Sequence, residues 1–79
     1  MIKKIAGIMI RYVDIDPKEI KKDTLLAEDL GLTSFALMSM MGDFEEEFDI
    51  TVDETELVDI HTVGDVADYI KKMQKKQKK

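Results

Sequence analysis

Apolar residues recur along this chain at helical spacing in three separate stretches. Ile2, Ile5, Ala6, Met9, Tyr12 and Val13 share one face of a first helix expected over residues 2–13. A second and longer helix follows Thr33 and Ser34, with Leu37, Met40, Met41, Phe44 and Phe48 on one stripe at about 100° per residue. A third begins at Thr62, where Asp65 completes a capping box and Val63, Val66, Ala67 and Ile70 face inward. Thr51-Val52-Asp53 forms a turn before a short helix from Glu54 to about Val58. The expected fold is all-α: a small antiparallel bundle of three main helices and one short one, with a long first loop.

That loop, Asp14 to Leu32, holds Leu25, Leu26, Leu30 and Leu32, which are too apolar for a free linker and are expected to lie over the helices. Asp16-Pro17-Lys18-Glu19 supplies a cap, an N1 proline and an N3 acid, so one helical turn should interrupt it. One domain is expected over residues 1–73, with a flexible Lys-rich tail over 74–79 that frays after Met73.

The central helix is not amphipathic in a simple way. Phe35 and Met38 fall off its core stripe and point outward with Ser39, Gly42, Glu45 and Glu46, on the side nearest Ser34. Ser34 itself stands at the helix start, among unpaired N–H groups at the positive end of the dipole. A phosphate ester suits such a position.

Composition narrows the chemistry. Among 79 residues there is no Cys, one His and two Ser, Ser34 and Ser39. Disulfides, thiolate metal sites and a Cys nucleophile are therefore excluded, as is a multi-His metal site. Ser34 and His61 do not make a hydrolase pair, because no Gly-x-Ser-x-Gly elbow surrounds Ser34. His61 reads as a loop histidine ahead of the Thr62 cap. The acids from Asp43 to Asp59 do not follow the alternating spacing of a calcium loop, and no metal site is expected. The apolar run from Ile5 to Ile10 is too short for a signal peptide or a membrane span. A cytoplasmic monomer is expected.

Charge is segregated. All twelve Lys and Arg lie in residues 1–22 or 71–79, while residues 23–70 carry fourteen Asp and Glu. Such a block disfavours nucleic acid, which is bound through cations on phosphates. It favours partners with basic patches.

Several ordered segments give the chain a family likeness. Glu28-Asp29-Leu30-Gly31, Thr33-Ser34-Phe35, Glu45-Glu46-Glu47-Phe48-Asp49-Ile50, Thr62-Val63-Gly64-Asp65 and Asp68-Tyr69-Ile70 follow one another at the expected distances. In this the sequence resembles the acyl carrier protein family. The resemblance implies a carrier and not an enzyme, with 4′-phosphopantetheine attached to Ser34 and flanked by Thr33 and Phe35. It also implies a phosphopantetheinyl transferase as a partner, together with acyl-transfer and synthase enzymes of fatty-acid-type synthesis. Phe35 and Met38 would enter apolar pockets on such partners, and Glu28, Asp29, Glu45, Glu46 and Glu47 would meet their Lys and Arg. Thr33 stands where the family has Asp, Phe35 where it has Leu, and Gly42 where many members have a bulky apolar residue. These departures leave open a specialised carrier of polyketide, peptide or amino-acid units. A further alternative is an unmodified acidic module that binds proteins.

Self-repulsion within residues 23–70 should weaken the fold at low ionic strength. Melting followed by circular dichroism is expected to move to higher temperature with added NaCl or Mg²⁺; a midpoint flat across ionic strength would contradict this.

Overall fold

The computed structural model of the chain describes residues 1–77. Its elements are α1 (Ile2–Met9), a 3-10 turn at Pro17–Glu19, α2 (Ser34–Phe48), a 3-10 helix at Glu54–Asp59 and α3 (Val63–Lys76). The three α-helices pack against one another in pairs. No helix among the described residues is long and apolar enough to cross a membrane.

The core forms where the three apolar stripes meet. Ile5 and Met9 from α1, Met40, Met41 and Phe44 from α2, and Val63, Val66 and Ile70 from α3 are essentially sealed from solvent. Leu37 and Phe48 lie half-buried at the two ends of the α2 stripe. Tyr69 and Met73 are also buried, and the apolar spacing assigned to α3 did not include them. Tyr69 reaches the core edge because its hydroxyl has a partner there, accepting from Asp53 N–H at 2.9 Å.

α1 is shorter than its pattern. It stops at Met9, and Arg11 and Tyr12 donate instead to the carbonyls three residues back, Ile8 and Met9. Ile8, three residues after Ile5 on the same helix, also takes a core position, and beyond the tightened turn Val13 is left half-exposed. The same winding lets Tyr12 donate its hydroxyl to Asp43 on α2. That hydrogen bond, together with partial burial, raises the Tyr12 phenol above its ordinary value. The short helix after α2 is likewise a 3-10 helix, with Leu57 its buried residue and Asp53 its cap.

The first loop covers the bundle as expected, through Leu26, Leu30 and Leu32 of the four leucines and also through Ile15 and Ile20. Ile20 and Leu26 are buried, and Ile15, Leu30 and Leu32 pack against the core. Leu25 does not join them; its backbone forms an antiparallel bridge with Thr62. Leu26 N–H donates to the His61 carbonyl, and Val63 and Gly64 N–H donate to the carbonyls of Thr24 and Lys22. Gly64 is required at this crossing, since a Cβ there would lie 2.8 Å from the Lys22 carbonyl oxygen.

At the C-terminal end, α3 runs past Met73. It continues to Lys76, and the Gln77 amide clasps Thr51, accepting from its N–H at 2.8 Å and donating to its carbonyl at 3.1 Å. The rest of the expected flexible tail, Lys78 and Lys79, lies outside the described residues.

Two glycines should respond in opposite directions. Gly42 sits inside α2 with nothing within 4 Å of an added Cβ. Gly42→Ala is expected to raise stability by about 0.5–1 kcal/mol, through helix propensity. Gly64→Ala must move backbone and is expected to lower it by roughly 1–3 kcal/mol. Urea titrations of both variants check this, and changes of the same sign would refute it.

Candidate functional site

The N-terminus of α2 is built by its cap. Gly31, at φ +68°, turns the chain, and Thr33 takes an extended conformation. Its Oγ1 accepts from Ala36 N–H at 3.1 Å, a contact worth about 1 kcal/mol. Ser34 is then the first residue of the helix, and it is exposed. The N–H groups of Ser34 and Phe35 have no acceptor within the helix. A negatively charged ester on the Ser34 hydroxyl would sit beside them.

A depression of about 140 Å³ opens next to this serine. Thr33, Ser34 and Leu37 form one side; Leu26, Glu28, Ile60 and His61 help form the rest. Its lining mixes apolar side chains with polar ones, Glu28, Thr33, Ser34 and His61.

The sequence-predicted recognition residues do not gather in one patch. Phe35 is 81% exposed beside Ser34 and Met38 is 47% exposed a turn further on, both off the core stripe as expected. Glu28 borders the Ser34 depression. Asp29 is exposed but committed, its Oδ2 accepting from Leu25 N–H at 2.8 Å. Glu45 is half-buried, and its Oε2 accepts from Val52 N–H at 2.8 Å. With Met38, Gly42 and Leu57 it lines a separate depression of about 200 Å³ between α2 and the 3-10 helix. Glu46 and Glu47 border a third, beside Ile8, Arg11 and Asp43. Val58, 72% exposed on the 3-10 helix, is a large apolar surface residue that the sequence pattern did not single out. A 3-10 helix this short has no period to reveal which side faces out.

The far wall of the Ser34 depression is fixed by α3. Thr62 and Asp65 form the expected capping box, with Asp65 N–H donating to Thr62 Oγ1 at 3.0 Å and Thr62 N–H donating to Asp65 Oδ2 at 3.1 Å. The same Oδ2 accepts from His61 N–H at 2.9 Å. This His61 bond, reinforced by those with Thr62, holds the Asp65 carboxyl below the usual aspartate range against the opposing effect of burial.

Comparison with known proteins agrees with the geometry. The family model described as "Phosphopantetheine attachment site" matches residues 3–70, a span that includes Ser34 and both walls of its depression. This chain belongs to the acyl carrier protein family. It is 35% identical over 72 residues to an acyl carrier protein of Thermotoga maritima, covering 91% of this chain and 89% of the relative. An acyl carrier protein of Clostridium acetobutylicum is also 35% identical, over 90% of this chain and 92% of its own. The fold is similar to that of the thermally stable acyl carrier protein from Enterococcus faecalis, with a TM-score of 0.77 and 26% identity over 91% of each chain. Acyl carrier proteins are carriers and not catalysts, and phosphopantetheine is the group that such domains hold.

Asp65 makes the family fold sensitive to acid. Because its folded-state pKa is lowered, its contribution is complete above the ordinary aspartate range and lost as pH falls through the lowered value. Asp65→Asn is expected to reduce the urea midpoint near neutral pH and to flatten its decline between about pH 5 and pH 2. Parallel acid declines in wild type and variant would remove Asp65 as a cause.

Proposed function

We infer that Ser34 is the attachment point and that the protein carries acyl groups for fatty-acid-type synthesis. One observation carries this reading: a serine exposed at the first position of a capped helix, within a chain matched by the attachment-site family. When bound, phosphopantetheine supplies a terminal thiol that holds the acyl group as a thioester. The chain's own part is to bind, orient and present. The free N–H groups of Ser34 and Phe35 and the helix dipole receive the phosphate. Leu26, Leu37 and Ile60 offer an apolar wall to the arm.

The covalent tether raises the local concentration of the cargo at a partner's active site without demanding tight docking. Phe35 and Met38 enter apolar pockets on phosphopantetheinyl transferase, acyl-transfer and synthase partners. Glu28, Glu46 and Glu47 meet the cations around those pockets, and Glu45 and Asp29 add their field while staying bonded to backbone. The same reading has the protein act in the cytoplasm as a monomer. Gly42 favours a second reading within the family, a specialised carrier of polyketide, peptide or amino-acid units, because it leaves room in the depression beside Met38.

Incubation with coenzyme A, Mg²⁺ and a broad-specificity transferase is expected to add one phosphopantetheine by intact mass. Ser39→Ala should gain the same mass and Ser34→Ala none. Modification of Ser34→Ala would move the attachment point, and an unchanged wild-type mass would leave only an acidic protein-binding module.

A further inference from the structure

His61 stands out for where it is and what surrounds it. It is the only histidine in the chain, and residues 23–70 contain no Lys or Arg. It is therefore the one side chain in that span able to hold a positive charge. The fold places it on the wall of the depression that Ser34 also lines. Its backbone is clamped from two sides: the carbonyl accepts from Leu26 N–H and the N–H donates to Asp65 Oδ2, each at 2.9 Å. The residue is nevertheless exposed, so the imidazole is the part left to face the depression and solvent.

We propose that His61 is a positioning residue for the prosthetic arm, its protonated imidazole pairing across the depression with the phosphodiester borne by Ser34. This deepens the carrier reading and rests on Ser34 being the attachment point. A phosphodiester adds negative charge beside Glu28 and Asp29, in an already acidic segment, and the α2 N–H groups address it from one side only. His61 addresses it from the other. The charged residues around His61 are Asp65 on α3, whose Oδ2 accepts from its N–H, Glu28 on the first loop, which lines the same depression, and Lys22, whose carbonyl accepts from Gly64 N–H on the adjoining segment. A pH-dependent change at phosphorus that disappears when His61 is replaced therefore reports the imidazole.

The test uses the full chain, modified at Ser34 and verified by intact mass, as wild type, His61→Gln and His61→Lys. In wild type, nuclear Overhauser contacts are expected between the imidazole ring protons and the methylene and methyl protons nearest the phosphate. The ³¹P resonance should move between about pH 8 and pH 5 in wild type. In His61→Gln that movement should be lost, and in His61→Lys the resonance should be offset at every pH without titrating. Matching far-ultraviolet circular dichroism shows that the variants fold. Stoichiometrically modified wild type with no contacts, and with the same ³¹P profile as His61→Gln, overturns the role of His61 while leaving the attachment reading intact. Failure of wild type to gain the group at all overturns both.

Discussion

Three backbone hydrogen bonds between residues 22–26 and 61–64 hold the site together. Leu26 N–H to the His61 carbonyl, Val63 N–H to Thr24 and Gly64 N–H to Lys22 lie at 2.9, 3.0 and 2.7 Å. They pin the long first loop to the start of α3, far away in sequence. Once pinned, Leu26 is buried under the loop and Leu32 N–H returns to the Leu26 carbonyl at 3.0 Å. The chain then reaches Thr33 already turned outward, and α2 begins at the surface. Exposure of Ser34 is thus a consequence of loop pinning as much as of its own cap. Gly64 has no Cβ because the pin brings two backbones too close for one.

The features legible in the sequence were those written in side-chain pattern. The α2 stripe, the Thr33 cap, the capping box at Thr62 and the outward Phe35 all follow from residue type and spacing, and the structure has each of them. The pin could not be read in this way, because a backbone bridge uses groups that every residue carries. The early end of α1 was hidden for a related reason. Tyr12 and Val13 continue an apolar pattern that suits an α-helix, but the turn tightens before them and the Tyr12 hydroxyl bonds to Asp43 on α2. The side chains of Glu45 and Asp29 were misleading in another sense. As carboxylates in an acidic block they read as free surface, yet each is bonded to a backbone N–H and is partly structural. Glu45 on α2 and Asp29 in the first loop are both bonded in this way, and only coordinates show it.

Charge segregation fits a protein that must meet many partners briefly. A field set by fourteen acids with no compensating cation between residues 23 and 70 speeds encounter with basic surfaces more than it tightens the complex. The exposed large apolar residues on α2 are few, Phe35 and Met38, so docking of the proposed kind would be readily reversed. Such a division suits delivery, where a partner must release the carrier once the cargo has been passed.

The departure at Thr33 has a physical meaning in this setting. Thr33 keeps the capping function, with its oxygen on Ala36 N–H, but brings no charge. A carboxylate at the same position would stand one residue from Ser34, and under the proposed attachment there it would offset the helix dipole that favours an anion. With a neutral cap, the unpaired N–H groups of Ser34 and Phe35 face the ester without a competing anion on the cap itself. Glu28 borders the Ser34 depression and Asp29 follows it in the first loop, so under the proposed function negative charge that would steer a transferase lies off the cap itself. The cap and the acids thus divide between them what a charged cap would combine, so that stabilising the ester and attracting the enzyme are set by different residues.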